Sequence, residues 1–218
     1  MMTSRMLEQT PGITRQQLQD ITVTILSDGY LEGTFALLNG IETDHAEALL
    51  RANGVSPLPS MNINACVVET AGHTILIDSG TGTPDGASGE LPAALAAAGI
   101  DPLSIDTILL THGHRDHIGG LAGPLQTPLF SNVQRLLGNE KGSLLIWGDI
   151  VHFPPIQIAR PEVSIAYDRD PALAAKTRSA LLDRVATDDI SVCGMHFNLP
   201  TTAKLSRSGK SYALHYAM

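Results

Sequence analysis

Ten residues, Thr111–Gly120, read Thr-His-Gly-His-Arg-Asp-His-Ile-Gly-Gly and constrain the rest of the chain more than any other stretch. His112, His114, Asp116 and His117 fall within six consecutive positions. Imidazoles with a carboxylate are the ligands that zinc and its first-row neighbours take. Such a cluster is useful only on a rigid support. The run just before it, Asp106 to Leu110, is Asp-Thr-Ile-Leu-Leu and reads as a buried strand ending at the histidines. Alternate residues share a face, so His112 and His114 leave the strand end on one side, with Asp116 and His117 on the turn beyond. Gly119 and Gly120 let the chain bend tightly there.

The flanking sequence supplies the scaffold. Residues 1–20 are polar and mixed, and Gln16, Gln17 and Gln19 predict a loose, flexible arm. Ile21 to Leu26 alternates and is β-branched, a strand, followed by the turn signal Asp28-Gly29. Residues 44–53 read as a helix, with Asp44 and Glu47 spaced as a capping box and Gly54 as its stop. Ile63–Glu69 and Thr74–Ile77 are strands joined at Ala71-Gly72, the second apolar enough to be covered on both faces. Thr81–Gly89 is rich in Gly and Thr and predicts a mobile loop. Leu91–Ala98 is a helix, and the histidine-bearing strand follows. That strand–helix–strand order indicates an α/β architecture.

Beyond Gly120, Val133–Leu137 and Ser143–Trp147 predict a hairpin, whose second strand runs into Gly148-Asp149. Asp170 and Pro171 open a helix with Leu173, Thr177, Leu181 and Val185 along one face. Ile190–Gly194 is a short strand leading into Met195-His196-Phe197. Ala203–Leu205 and Tyr212–Tyr216 close the chain as final strands. No repeat or linker divides residues 1–218, so a single domain is expected.

Composition narrows the class. A net charge of −8 argues against a nucleic-acid partner. The two cysteines, Cys66 and Cys193, sit in apolar runs and read as buried thiols. No apolar run approaches the ~18 residues of a membrane span, and the first ten residues carry no apolar targeting core. No membrane association and a cytoplasmic location are therefore expected.

The His-x-His-x-Asp-His pattern resembles the signature of the metallo-β-lactamase-fold hydrolases. The Gly-Asp-x-x-His segment at Gly148–His152, the helix after Asp170 and Gly-Met-His-Phe at 194–197 resemble the branch that holds methyl parathion hydrolase and related lactonases. The fold this implies is an αβ/βα sandwich. The resemblance implies that His112 and His114 hold one metal, that Asp116, His117 and His196 hold a second, and that Asp149 bridges both. It gives Asp78, in Asp78-Ser79-Gly80, a role supporting the metal loop from behind; by residue type alone Asp78 is equally a turn-former. The expected cofactor is Zn2+, one or two per chain, with Mn, Co or Fe compatible with the same ligands. A small-molecule substrate and a homodimer are likewise implied.

In one place the chain departs from that pattern. The interval 118–148 holds no histidine, whereas relatives carry there a Pro-Gly-His-Thr-x-Gly-His type segment whose first histidine completes the first metal site. Asn132-Val133 reads as the junction of an internal deletion, so the sandwich is expected to be shortened in the middle. His152, His73, His45 and His215 are the spare histidines. His152, nearest a ligand in sequence, is open to a supporting or packing role or to that of a substitute ligand.

The activity implied is attack by a metal-activated hydroxide on an ester, lactone, β-lactam, thioester or phosphotriester, with Asp116 or Asp149 moving the proton. No Gly-x-Ser-x-Gly segment offers a serine nucleophile instead. Two alternatives stand beside it. One is a catalytically impaired metal-binding domain lacking the third histidine. The other is an iron-dependent oxygenase on the same fold.

Overall fold

Period-two burial along the strands sorts the apolar side chains onto two faces, and that sorting builds the layers. The computed structural model describes residues 4–56, 58–82, 84, 86–121, 144–209 and 211–217. In order they form β1 (Ser4–Thr10), β2 (Ile13–Leu18), β3 (Ile21–Glu32), β4 (Leu38–Asn39), α1 (Thr43–Ala52), β5 (Ser60–Thr70), β6 (His73–Ile77), α2 (Leu91–Ala97), β7 (Thr107–Leu109) and α3 (Arg115–Ile118). There follow β8 (Leu144–Trp147), α4 (Pro154–Gln157), β9 (Ser164–Ile165), α5 (Pro171–Thr187), β10 (Ser191–Gly194), β11 (Ala203–Ser208) and β12 (Ser211–Tyr216).

The first sheet runs β1-β2-β3-β5-β6-β7 and the second β12-β11-β10-β8, with β4 and β9 pairing separately. Both sheets are antiparallel except at one pair each, β6–β7 and β8–β10, which are parallel. Val23, Ile25 and Cys66 from the first sheet meet Cys193 and Met195 from the second in a dry layer between the sheets. On the far face of the first sheet, Leu26, Ala65, Val67 and Leu76 pack on Leu91 and Leu95 of α2. On the far face of the second, Val192, Ala203 and Leu205 pack on Leu182 and Val185 of α5. The order is helix, sheet, sheet, helix, as the αβ/βα expectation required. Cys66 and Cys193 are buried and free as expected, and they touch across the middle layer with Sγ–Sγ 3.2 Å. The bond to Cys193 and burial together push the Cys66 thiol up.

The structure corrects several readings. Residues 4–18 are not a loose arm: β1 pairs with β2, and β2 continues onto β3. The glutamines that look solvent-bound are bonded partners. Buried Gln16 accepts from Thr202 Oγ1 at 2.8 Å, and Gln17 accepts from Thr22 Oγ1 at 3.1 Å. The capping box at Asp44 and Glu47 does not form. The N-cap is Glu42, without a side-chain cap bond, and Glu47 pairs with Arg51 instead. Thr81–Gly89 is tied down where it is described: buried Asp28 accepts from Thr81 N (2.9 Å), Thr81 Oγ1 (3.0 Å) and Leu91 N (2.7 Å). The expected strand at 133–137 and the junction at Asn132-Val133 lie outside the described residues. The partner observed for β8 is β10, in parallel.

On α5, Asp170 caps as expected, accepting from Leu173 N at 3.0 Å. The buried stripe, however, is Arg178, Leu182 and Val185, while Leu173 is 59% exposed. A charged residue in that stripe masks its period. Arg178 is fully buried because each arm of its guanidinium has an acceptor. Nε donates to Ile150 O (2.6 Å), Nη1 to Pro161 O (2.9 Å) and Val163 O (2.7 Å), and Nη2 to Asp168 Oδ2 (3.4 Å). Removing it strands buried carbonyls and a carboxylate together. Arg178→Leu should lower the unfolding free energy by about 3 kcal/mol or more, read from urea denaturation. An unchanged midpoint would show that the fork holds nothing.

Candidate metal centre

Four strand ends deliver the site. In the first sheet the parallel neighbours β6 and β7 run out into Asp78 and into Thr111–His114. In the second sheet the parallel neighbours β8 and β10 run out into Asp149 and His196. α3 carries Asp116 and His117 back toward all four. Parallel pairs place two carboxyl ends side by side, which is where sheets of this kind put their chemistry.

The two carboxylate oxygens of Asp149 face different neighbours. Oδ2 lies 3.0 Å from His112 Nε2 and 3.6 Å from His114 Nδ1. Oδ1 lies 3.1 Å from His117 Nε2 and 3.0 Å from His196 Nε2. Asp116 Oδ2 is 3.4 Å from His117 Nε2 and 3.9 Å from His196 Nε2. His112, His114 and Asp149 thus form one group with ligand atoms mutually within 4.8 Å, and Asp116, His117 and His196 form another. All six residues singled out from the sequence as ligands meet here.

The charge balance is that of a site built for cations. Burial alone would make Asp149 hard to ionise, yet His117, His152 and His196 around it hold its carboxyl far below the usual range. Asp116 is likewise buried and likewise held below that range, chiefly by His117. Burial alone would lower the His117 imidazole; the carboxylates of Asp116, Asp149 and Asp78 outweigh it and push it up to about 11. His112, with fewer anions about it, is lowered by burial.

A second ring of bonds fixes which nitrogen each imidazole presents. His117 Nδ1 is 2.7 Å from Asp78 Oδ2, and His196 Nδ1 is 2.8 Å from the Asn62 carbonyl. Each acceptor takes the Nδ1 proton, so Nε2 is the nitrogen turned inward, where a cation would displace its proton and take the lone pair. His117 Nε2 is buried and makes no well-directed hydrogen bond, and a divalent cation fits that aim. Asp78 combines an unusual backbone with several bonds from its carboxylate. It sits at φ 59°, the left-handed region that short polar residues tolerate, and its carboxylate also takes Thr111 N (2.8 Å) and Thr111 Oγ1 (2.7 Å). Gly119 and Gly120 are needed for contact more than for bending: a Cβ on either would come within about 2.1 Å of the carbonyl of Thr81 or Ser79.

Known proteins share this fold. A family model described as the metallo-beta-lactamase superfamily matches residues 59–128. The solved structure of AidC, a dizinc quorum-quenching lactonase in complex with a homoserine product, superposes with TM-score 0.86 at 18% identity, covering 95% of this chain and 98% of that one. AbOPH, a hydrolase in the beta lactamase superfamily, gives 0.86 at 22% identity, covering 97% and 99%. The chain has the metallo-β-lactamase fold. Among curated proteins, ribonuclease Z from Clostridium kluyveri is 40% identical over 79 residues, which is 36% of this chain and 23% of that protein. Ribonuclease Z from Pyrococcus abyssi is 33% identical over 78 residues, covering 36% and 23%. The chain therefore spans about a quarter of the length of these curated relatives.

Within this metallo-β-lactamase fold, sequence reasoning missed the supports that are ordinary by residue type. They are the Asn62 carbonyl behind His196, and Asn64, whose side chain donates to Phe197 O (3.0 Å) and Gly194 O (3.4 Å) and so holds the His196 loop. No local signal marks either. His152 lies against Asp149, while His45, His73 and His215 bond elsewhere, to Arg160, Asp106 and Ser206. Asp78→Asn keeps the backbone tolerance and removes the anion. It should weaken metal affinity about 10–100-fold in chelator competition while circular dichroism stays unchanged. Undiminished affinity would mean that Asp78 orients nothing.

Proposed function

We propose that this protein is a metal-dependent hydrolase, with zinc as the ion and a small uncharged lactone or ester as the substrate. The observation that carries this reading is the single carboxylate, Asp149, whose two oxygens serve two ligand sets beside an open pocket. The pocket has a volume of about 220 Å3; Leu31, Met61 and Tyr167 form apolar wall, and the site residues form the floor. Ions held by His112, His114 and Asp149, and by Asp116, His117, His196 and Asp149, would supply Lewis acidity and a hydroxide nucleophile from water near neutral pH.

The chain's own contribution is positional. Asp78 and Asn62 hold the imidazoles in one tautomer. Asp116, partly open to the pocket, takes a proton from the attacking water on the carboxylate oxygen it does not use as a ligand and returns it to the leaving alkoxide, which in an ester departs as an alcohol and in a lactone becomes the hydroxyl of the opened ring. Leu31 and Met61 keep the scissile bond away from bulk water.

The likeness to AidC, a lactonase, supports the substrate class. Ribonuclease Z points instead to a nuclease, but the net charge of −8 opposes a polyanion. Protein stripped of metal and reloaded with zinc, manganese or cobalt should open an N-acyl homoserine lactone or hydrolyse an aryl ester. The stripped form should be inactive, and Asp116→Asn should lower kcat about 100-fold or more. Cleavage of RNA without lactone turnover would transfer the assignment to a nuclease. Full metal loading without turnover on any substrate would leave a metal-binding domain.

A further inference from the structure

His152 has no assigned task, and its surroundings are unusual for a packing residue. Its side chain is 5% exposed, and Nε2 lies 3.3 Å from Asp149 Oδ2. Its ring stacks on His196 with centroids 5.0 Å apart and planes 16° from parallel. Asp149, His152 and His196 form a third group whose ligand atoms lie within 4.8 Å of one another. Gln157 Oε1 anchors the backbone here, accepting from His152 N (2.8 Å) and Phe153 N (3.1 Å), so the imidazole is held by its main chain.

The two oxygens of Asp149 make the comparison. Oδ1 is approached by two imidazole nitrogens, those of His117 and His196. Oδ2 is approached by three, from His112 at 3.0 Å, His152 at 3.3 Å and His114 at 3.6 Å. One carboxylate oxygen cannot take well-directed hydrogen bonds from three crowded imidazoles, whereas a divalent cation beside it can take their lone pairs. Of the eight histidines of the chain, His152 is the one outside the two ligand sets that is grouped with Asp149, and its other partner in that group is His196. His152 Nδ1 is buried and has no hydrogen-bond partner among the described residues, so the ring is placed by its main chain and by Asp149 alone.

We propose that His152 is a direct metal ligand, coordinating through Nε2 next to Asp149 Oδ2. The inference rests on the two-ion reading above and adds a ligand to it. The ring proton then resides on the buried Nδ1, shielded from exchange with solvent.

Two measurements on the full chain test this. In the zinc-loaded protein, long-range 15N–1H correlation of the histidine rings should show His152 with Nε2 unprotonated and in the metal-bound range, and Nδ1 protonated. In the cobalt-loaded protein, His152→Ala should lose one hyperfine-shifted, slowly exchanging N–H signal relative to wild type. A protonated Nε2 in the wild-type zinc form, or a full set of shifted signals in His152→Ala, overturns the proposal and leaves the hydrolase reading standing. A wild-type chain that binds no zinc or cobalt overturns both. The first measurement needs no variant, so a His152→Ala chain that fails to fold does not spare the proposal.

Discussion

A buried carboxylate surrounded by imidazoles is the interaction on which this molecule turns. Asp149 belongs to the second sheet by its strand, yet its oxygens face His112, His114 and His117, which the first sheet supplies. The contact is therefore the electrostatic counterpart of the dry layer between the sheets. Burying an isolated carboxylate carries a heavy desolvation penalty, and the ring of imidazoles, with the cations they would hold, is what makes that burial tolerable. Any shift of one sheet against the other would separate the two ligand groups.

The scaffold protects this alignment with buried polar groups that are fully engaged. Asp28 ties down the loop after Asp78, Asp78 ties the end of β6 to the end of β7 and to His117, and Arg178 ties the segments on both sides of α4 to α5. Each uses a charge to fix main-chain atoms of neighbouring segments. Such groups add less net stability than apolar packing of equal volume, but they have few alternative partners and so specify one geometry. The close approach of Gly119 and Gly120 to Ser79 and Thr81 serves the same end by letting two backbones touch.

Much of this was legible in the residues. The strand before His112, the Asp149 and His196 strand ends, the helix cap at Asp170 and the burial of both cysteines all follow from local pattern. The misreadings share a cause. Gln16 and Gln17 are polar and read as part of a loose arm, but Gln16 is bonded to Thr202, far off in sequence, and Gln17 to Thr22 on the next strand; Arg178 is buried by carbonyls of distant segments that a helix period does not register. The capping box failed for the converse reason: a correct local spacing lost to the Glu47–Arg51 pair one turn on.

What the sequence by itself determined is the chemistry: three imidazoles and a carboxylate crowded after a strand, further acid and imidazole at later strand ends, and no histidine between 118 and 148. Ligand type is a property of side chains and can be read from one dimension. Only the tertiary structure decided which oxygen of Asp149 faces which imidazoles, which nitrogen of His117 and His196 is turned into the site, and that His152 joins them while His45, His73 and His215 do not. Those outcomes depend on the packing of two sheets whose strands are distant in the chain, and on acceptors such as the Asn62 carbonyl that every residue possesses and no pattern distinguishes.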